Sequence, residues 1–195
     1  MSDEAARRFE RIATRTIYEG RIVTFVEDRF RYGDGGEADR EIVRTTGAVG
    51  ILVHDGTHLL LTRQPREAIG NPDSLEIPAG RLDKPGEDPI DCARRELAEE
   101  IGVAAAEWRP VATYRPSVGI LDEQVHLFAA WDLRDEALDS GEDERIELVR
   151  WPIDDLDGAI AATEDGKTLV ALLWARAHGL PGATPAAPTD PPPHR

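Results

Sequence analysis

From Gly80 to Val103 the chain reads GRLDKPGEDPIDCARRELAEEIGV, and this stretch restricts the remainder more than any other. Asp88-Pro89 predicts a helix start, with a carboxylate at the N-cap and a proline at the first helical position, where its missing N–H costs nothing. Gly102 predicts the stop. Between them Ile90, Ala93, Leu97 and Ile101 recur at helical spacing and predict a buried stripe. At about 100° per residue, Glu96, Glu99 and Glu100 fall within an adjacent arc of roughly 100°. Three carboxylates crowd one side of a single turn.

A solvated acidic face is the ordinary reading of a Glu-rich helix, and here it fits badly. Like charges three or four apart repel, and no lysine or arginine follows at 100 or 103–104 to neutralise them. Acids at the C-terminal end of a helix also oppose its dipole. Such a cluster calls for a counter-charge. Oxygen-only ligands without a histidine suit a hard divalent cation, Mg²⁺ or Mn²⁺, bound through carboxylates and substrate phosphates.

The same residues resemble the Nudix box, G-x5-E-x7-R-E-U-x-E-E-x-G-U with U aliphatic. Gly80, Glu87, Arg95-Glu96-Leu97, Glu99-Glu100 and Gly102-Val103 carry the match. One departure stands out: six residues, not five, separate Gly80 from Glu87. The extra residue falls in the loop before the helix and leaves the helical spacing intact.

The 195-residue length suits one well-buried domain with appendages. With 41% hydrophobic and 31% charged residues the composition reads as soluble and globular. No apolar run is long enough to span a membrane, and the polar start MSDEAARRFE does not read as a signal peptide. Cys92 is the single cysteine, so no internal disulfide forms, and a reducing cytoplasm is the expected location. It reads as a buried small residue in preference to a redox-sensitive thiol. A formal net charge of −15 argues against nucleic-acid and anionic-membrane partners. The same charge would repel a phosphate ester unless a metal and local arginines overcame it.

Along the chain, residues 1–13 read as frayed or a short helix, and Thr14–Tyr32 and Ala38–Thr45 as strands around the Gly33–Gly36 turn. Gly47–Val53 and His58–Thr62 flank an Asp55-Gly56 hairpin turn, with His54 and His58 expected at the surface. Gln64–Ser74 reads as a loop, followed by a short strand at Leu75–Pro78. Beyond the helix, Trp108–Tyr114, Gln124–Asp132 and Ile146–Trp151 read as strands. Helices follow from Pro152 to Ala162 and from Lys167 to His178, the latter packed through Leu169, Leu172, Leu173 and Trp174. The proline-rich residues 181–195 are expected to be disordered.

This order suggests an α/β class with a mixed sheet between helices. The resemblance implies the same: an α/β/α sandwich, the Nudix fold, over residues 46–180, preceded by a strand-rich dimerisation extension at 1–45. It implies hydrolysis of a nucleoside diphosphate linked to a further group. Glu96 and Glu100 then match the principal metal ligands, Glu99 a shared or bridging one, and the Ala79 carbonyl a further one. Arg95 matches the residue holding the glutamates in register, and Glu87 a support at the helix start.

The segment Arg63–Arg66, the run Leu75–Gly80 and the loop Ser117–Glu123 are similar to ADP-ribose pyrophosphatases, which implies a homodimer with a shared substrate site. Val118 departs from that pattern, standing where proline is expected, and keeps GDP-mannose open as an alternative substrate. Glu142, on the acid-rich stretch 135–144, matches the catalytic base, and Glu144 a ligand reaching the metal on closure; a merely solvated loop is the competing reading. Arg66 matches a phosphate or ribose contact and Ile22 an apolar residue on the adenine. Glu76 is a candidate ribose or base contact. Arg40 and Arg44 are candidates that also read as surface arginines. A non-catalytic nucleotide sensor or an acidic scaffold would leave the intact box glutamates unexplained.

Overall fold

A computed structural model describes residues 8–136 and 145–183. Two compact units divide them.

The first unit takes in residues up to Ala48, Arg81–Pro85 and Thr113–Val125. Its sheet is an antiparallel meander of β1 (Phe9–Glu19), β2 (Thr24–Tyr32) and β3 (Glu37–Arg44). β1 corrects the frayed or helical start expected from residues 1–13 over its first residues, 9–13, whereas its residues 14–19 fall in the stretch read as strand. Its side chains are almost all exposed, so no alternation of apolar and polar residues announces it. Cross-strand ion pairs such as Arg15–Glu27 (2.9 Å) and Arg29–Asp39 (2.7 Å) line this sheet instead. Beneath it Asp28, 1% exposed, takes Arg44 at 2.5 Å and Arg11 at 3.5 Å. The Ser117–Asp122 loop is bonded to β3, Val43 N–H donating to the Ile120 carbonyl and Asp122 N–H to the Val43 carbonyl.

The second unit holds Val49–Gly80, Gly86–Ala112 and the chain from His126 onward. One sheet runs β7 (Ala79–Arg81), β4 (Ala48–Val53), β9 (Val125–Asp135), β8 (Val103–Tyr114). The other runs β10 (Glu147–Pro152), β5 (His58–Arg66), β6 (Asn71–Glu76). Three helices accompany them: α1 (Pro89–Ile101), α2 (Leu156–Ala162) and α3 (Gly166–His178). The continuous apolar run of β4 is buried on both faces, as are Leu59–Leu61 of β5.

Three expectations change here. The segment Gln64–Ser74, read as a loop, is a hairpin: β5 continues to Arg66, a 3₁₀ turn covers Glu67–Ile69, and β6 starts at Asn71. Pro72 is tolerated because β6 is an edge strand. His54 is buried, 1% exposed, not at the surface. Its Nδ1 accepts from Gly56 N–H (3.1 Å) and its Nε2 donates to the Pro181 carbonyl (2.8 Å), which requires the neutral Nε2–H tautomer. In α3 the buried stripe is Thr168, Ala171, Leu172 and Ala175, while Leu173 is exposed. Small residues at i, i+3 and i+7, around Leu172 at i+4, let the helix approach closely. Trp174 lies under the Arg109 guanidinium at 5.6 Å instead.

The first residues of the proline-rich end are in contact with this unit. Beside the Pro181 bond, the place of a Cβ on Gly182 is taken by Trp131 ring atoms at 2.3 Å. No described helix is long and apolar enough to cross a membrane.

Candidate active site

α1 begins and ends where the sequence predicts. Pro89 is at its first position, and Gly102 closes it in the left-handed region with φ 72°. Asp88 has extended backbone but its carboxylate caps nothing. The buried face is also displaced from the predicted stripe: Cys92, Ala93, Leu97 and Ala98 are sealed, while Ile90 and Ile101 at the ends are only half-covered. Burial, and after it the Glu96 charge, pushes the Cys92 thiol up to about 12. That thiol stays protonated and behaves as packing.

The counter-charge on the acidic arc comes from within the helix, at Arg95. Its Nε and Nη2 donate to the two oxygens of Glu87, each at 3.0 Å. Its Nη1 donates to Glu96 at 2.6 Å and Glu99 at 2.9 Å. One planar guanidinium thus fixes three carboxylates, two on its own helix and one at the end of the preceding loop. The pairing with Glu87, ahead of the Glu96 and Glu99 charges, holds the Arg95 pKa above its ordinary range. The six-residue spacing before Glu87 is therefore absorbed by the loop.

Glu100 faces β7: its Oε2 accepts the Ala79 N–H at 3.0 Å. The next residue has to be glycine. A Cβ on Gly80 would lie 1.9 Å from the Glu96 Cδ and 2.2 Å from its Oε1, so the Glu96 carboxyl occupies the space a side chain would fill. Among the described residues no three acidic, histidine or cysteine groups converge as a closed metal cage. The carboxylates are instead spread between Arg95 and the Ala79 amide.

A second cluster lies in the same unit. Arg66, at the end of β5, grips Glu76 of β6 with two parallel bonds, Nε to Oε1 and Nη2 to Oε2, both 2.6 Å. Lys167, in the first turn of α3, reaches Oε2 of the same carboxylate at 2.6 Å and Asp165 at 2.9 Å. Glu76 is 1% exposed. Burial alone would raise its pKa, but Arg66 and Lys167 outweigh it and hold the carboxyl at about 2. The Arg66 pKa is raised, first by the bond to Glu76, with the charges of Asp165 and Glu100 adding to it. The segment carrying Lys167 also grips the strand on either side of Glu76. Thr163 donates to the Leu75 carbonyl at 2.7 Å, and Thr168 Oγ accepts the Ile77 N–H at 2.9 Å.

The remaining candidates fall elsewhere. Ile22 is exposed between β1 and β2. Arg40 bonds Tyr32 Oη (3.3 Å) and borders a groove of about 460 Å³ with Phe9, Phe30 and Val118, all within the first unit. Arg44 is occupied by Asp28 and braces the first unit's sheet. Glu142 and Glu144 lie outside the described residues. Sequence reasoning missed Lys167, Thr163, Asp165 and Thr168. Their polar spacing at the start of α3 marks a helix cap in sequence, and nothing in it points to Glu76.

A family model described as the NUDIX domain matches residues 44–173 of the chain. The chain belongs to the Nudix family. It is 33% identical over 168 residues to the ADP-ribose pyrophosphatase of Bacillus subtilis, covering 84% of this chain and 90% of that one. It is 37% identical over 153 residues to the GDP-mannose pyrophosphatase of Yersinia enterocolitica, covering 72% and 79%. A crystal structure of an ADP compounds hydrolase shares the fold with a TM-score of 0.78, at 24% identity over 88% of this chain and 94% of that one. The architecture is thus the mixed α/β Nudix fold.

Nudix hydrolases generally need a divalent metal. The donors fit one: they are hard carboxylate oxygens, and the Glu96 carboxyl is seated against a glycine that leaves it room.

Proposed function

We propose that this Nudix pyrophosphohydrolase splits the pyrophosphate of a nucleoside diphosphate sugar, with ADP-ribose giving AMP and ribose 5-phosphate as its principal reaction. The observation that carries this reading is the presence, in one unit, of three carboxylates ordered on Arg95 and of a partly exposed arginine, Arg66, fixed by Glu76. The names of the two enzyme relatives support the substrate class.

Glu96, Glu99, Glu100 and the Ala79 carbonyl would hold Mg²⁺ or Mn²⁺. When bound, the metal neutralises phosphate oxygens and lowers the pKa of a water. Arg95 keeps the glutamates apart and oriented, and Glu87 fixes Arg95 to the loop. Arg66 offers its remaining N–H donors to a phosphate, and the buried Glu76 orients that guanidinium rather than touching the sugar. Glu142 takes the proton from the attacking water, with Glu144 beside it on the same stretch. Glu142→Gln should lower kcat much more than it raises KM.

In this reading the chain works in the cytoplasm as a homodimer. Residues 1–45 form the dimerisation extension, 46–180 the hydrolase domain and 181–195 a tail. The exposed Phe9, Ile17, Tyr18 and Ile22 of the first unit supply apolar area for a second copy to cover. Ile22 and Arg40 are then the contacts for the base and its ribose.

A second reading, GDP-mannose as the preferred substrate, is favoured by Val118, 84% exposed beside the groove and standing where the ADP-ribose subfamily carries proline. The test is a screen of nucleoside diphosphate sugars with Mg²⁺, products identified by chromatography. A higher kcat/KM for ADP-ribose than for GDP-mannose is expected. The reverse order would replace the substrate and keep the hydrolase; no turnover of any would sink both.

A further inference from the structure

Asp165, Lys167, Glu76 and Arg66 form a string of alternating charge, each joined to the next by bonds of 2.9 Å or less. Three of its members are shielded: Glu76 is 1% exposed, and the Lys167 and Asp165 side chains are 15% and 19% exposed. The fourth, Arg66, is 41% exposed. The string therefore has a shielded anion at one end and an outward-facing cation at the other.

A single carboxylate paired with Arg66 alone would neutralise it. Here Lys167 shares the Glu76 charge, so Arg66 keeps more of its own for an incoming anion. The same contact fixes direction. A guanidinium has five N–H donors in one plane, and Glu76 takes two from one edge. If Glu76 cannot rotate, neither can Arg66. Glu76 cannot rotate because Lys167 holds Oε2 from a helix start that also bonds Leu75 and Ile77. A carboxylate needed only for stability would be out of place, since apolar side chains of similar volume serve a buried site as well or better.

We propose that Lys167 is a positioning residue for phosphate binding: through Glu76 it orients Arg66 and preserves its positive charge toward the substrate. The proposal rests on the reading of Arg66 as a phosphate contact, and adds a residue 101 positions further along the chain.

The test uses the full chain with Mg²⁺, comparing wild type, Lys167→Met, Lys167→Gln, Glu76→Gln and the Glu76→Gln/Lys167→Met double variant. Steady-state kinetics on ADP-ribose and GDP-mannose are read together with calorimetric binding of inorganic pyrophosphate, which needs no turnover. Lys167→Met should raise KM and weaken pyrophosphate binding by about tenfold, with kcat within about threefold of wild type. In the Glu76→Gln background the same change should add less than about twofold, because its route to Arg66 is already cut. As pH is lowered toward 4, KM of Lys167→Met should begin to climb at a higher pH than that of wild type, since Glu76 then protonates more easily. Full additivity in the double variant, an unchanged KM and pyrophosphate affinity, or failure of both single Lys167 variants to fold would each overturn the proposal. An inactive wild type that still binds pyrophosphate in a Lys167-dependent way would sink the substrate reading and leave the positioning role standing.

Discussion

Glutamine in place of Glu76 keeps the side chain's shape and removes its charge, so it isolates what the ion string contributes. In the folded chain the carboxyl is held at about 2 against an ordinary 4.5. At about 1.4 kcal/mol per tenfold, the difference is worth ~3 kcal/mol at neutral pH. Because the folded value is the lower one, this stability is complete above pH 4.5 and is lost as pH falls toward 2. At pH 3 about 1.4 kcal/mol should remain. The loss in Glu76→Gln should match, since Arg66 is exposed enough to find water and only Lys167 is left partly desolvated. Urea unfolding of wild type and Glu76→Gln from pH 7 to pH 3 reads the effect directly, as the other carboxylates cancel between them. A gap of ~3 kcal/mol at pH 7, narrowing by about half at pH 3, is expected. A gap below ~1 kcal/mol at pH 7, or one that stays constant with pH, would refute the view that the carboxylate's charge holds this network.

Gly80→Ala forces the Glu96 carboxyl from its seat and breaks its 2.6 Å bond to Arg95. Turnover should fall about a hundredfold while unfolding free energy drops by less than ~2 kcal/mol, because a flexible side chain and not backbone must yield. Wild-type turnover would show that Glu96 is not needed where it sits. A chain ending at Ala183 should unfold like the full protein, whereas one ending at Leu180 should lose about 1–3 kcal/mol, because the buried His54 Nε2 loses its acceptor; identical unfolding curves would refute the role of Pro181. The Cys92 thiol should resist iodoacetamide until the protein unfolds, and labelling of the native chain at the rate of a free thiol would contradict its burial.

The helix carrying the glutamates was readable because everything that defines it is local. Pro89 and Gly102 punctuate it, and Arg95 meets Glu99 through ordinary i, i+4 spacing. What went unread depends on partners far along the chain. Glu76 and Lys167 are 91 residues apart, and His54 is buried by a carbonyl 127 residues away, so its place beside the Asp55-Gly56 turn read as exposed. The start of β1 was missed for a different reason, while its residues 14–19 read as strand. Its first residues, FERIA, are held by pairing with β2 and by ion pairs across it, not by an apolar face, so period-two hydrophobicity has nothing to report there. The displaced stripes of α1 and α3 share a cause: small residues mark the closest approach of a helix, and a search for large apolar side chains passes over them.

The grip of Thr163 and Thr168 on Leu75 and Ile77 also sets an order of events during synthesis. The strand leading into Ala79 is made some ninety residues before the segment that fastens it, the two bonds spanning 88 and 91 positions. At about 5–20 residues per second, translation leaves that strand without its fastening for roughly 5–18 s. A nascent chain can complete the Arg95 helix and pair Arg66 with Glu76 in that interval, but Lys167 cannot yet reach Glu76. The two threonine bonds then form only once α3 has begun to emerge, so a ribosome stalled before residue 163 carries a segment 75–77 without its fastening and a Glu76 without Lys167.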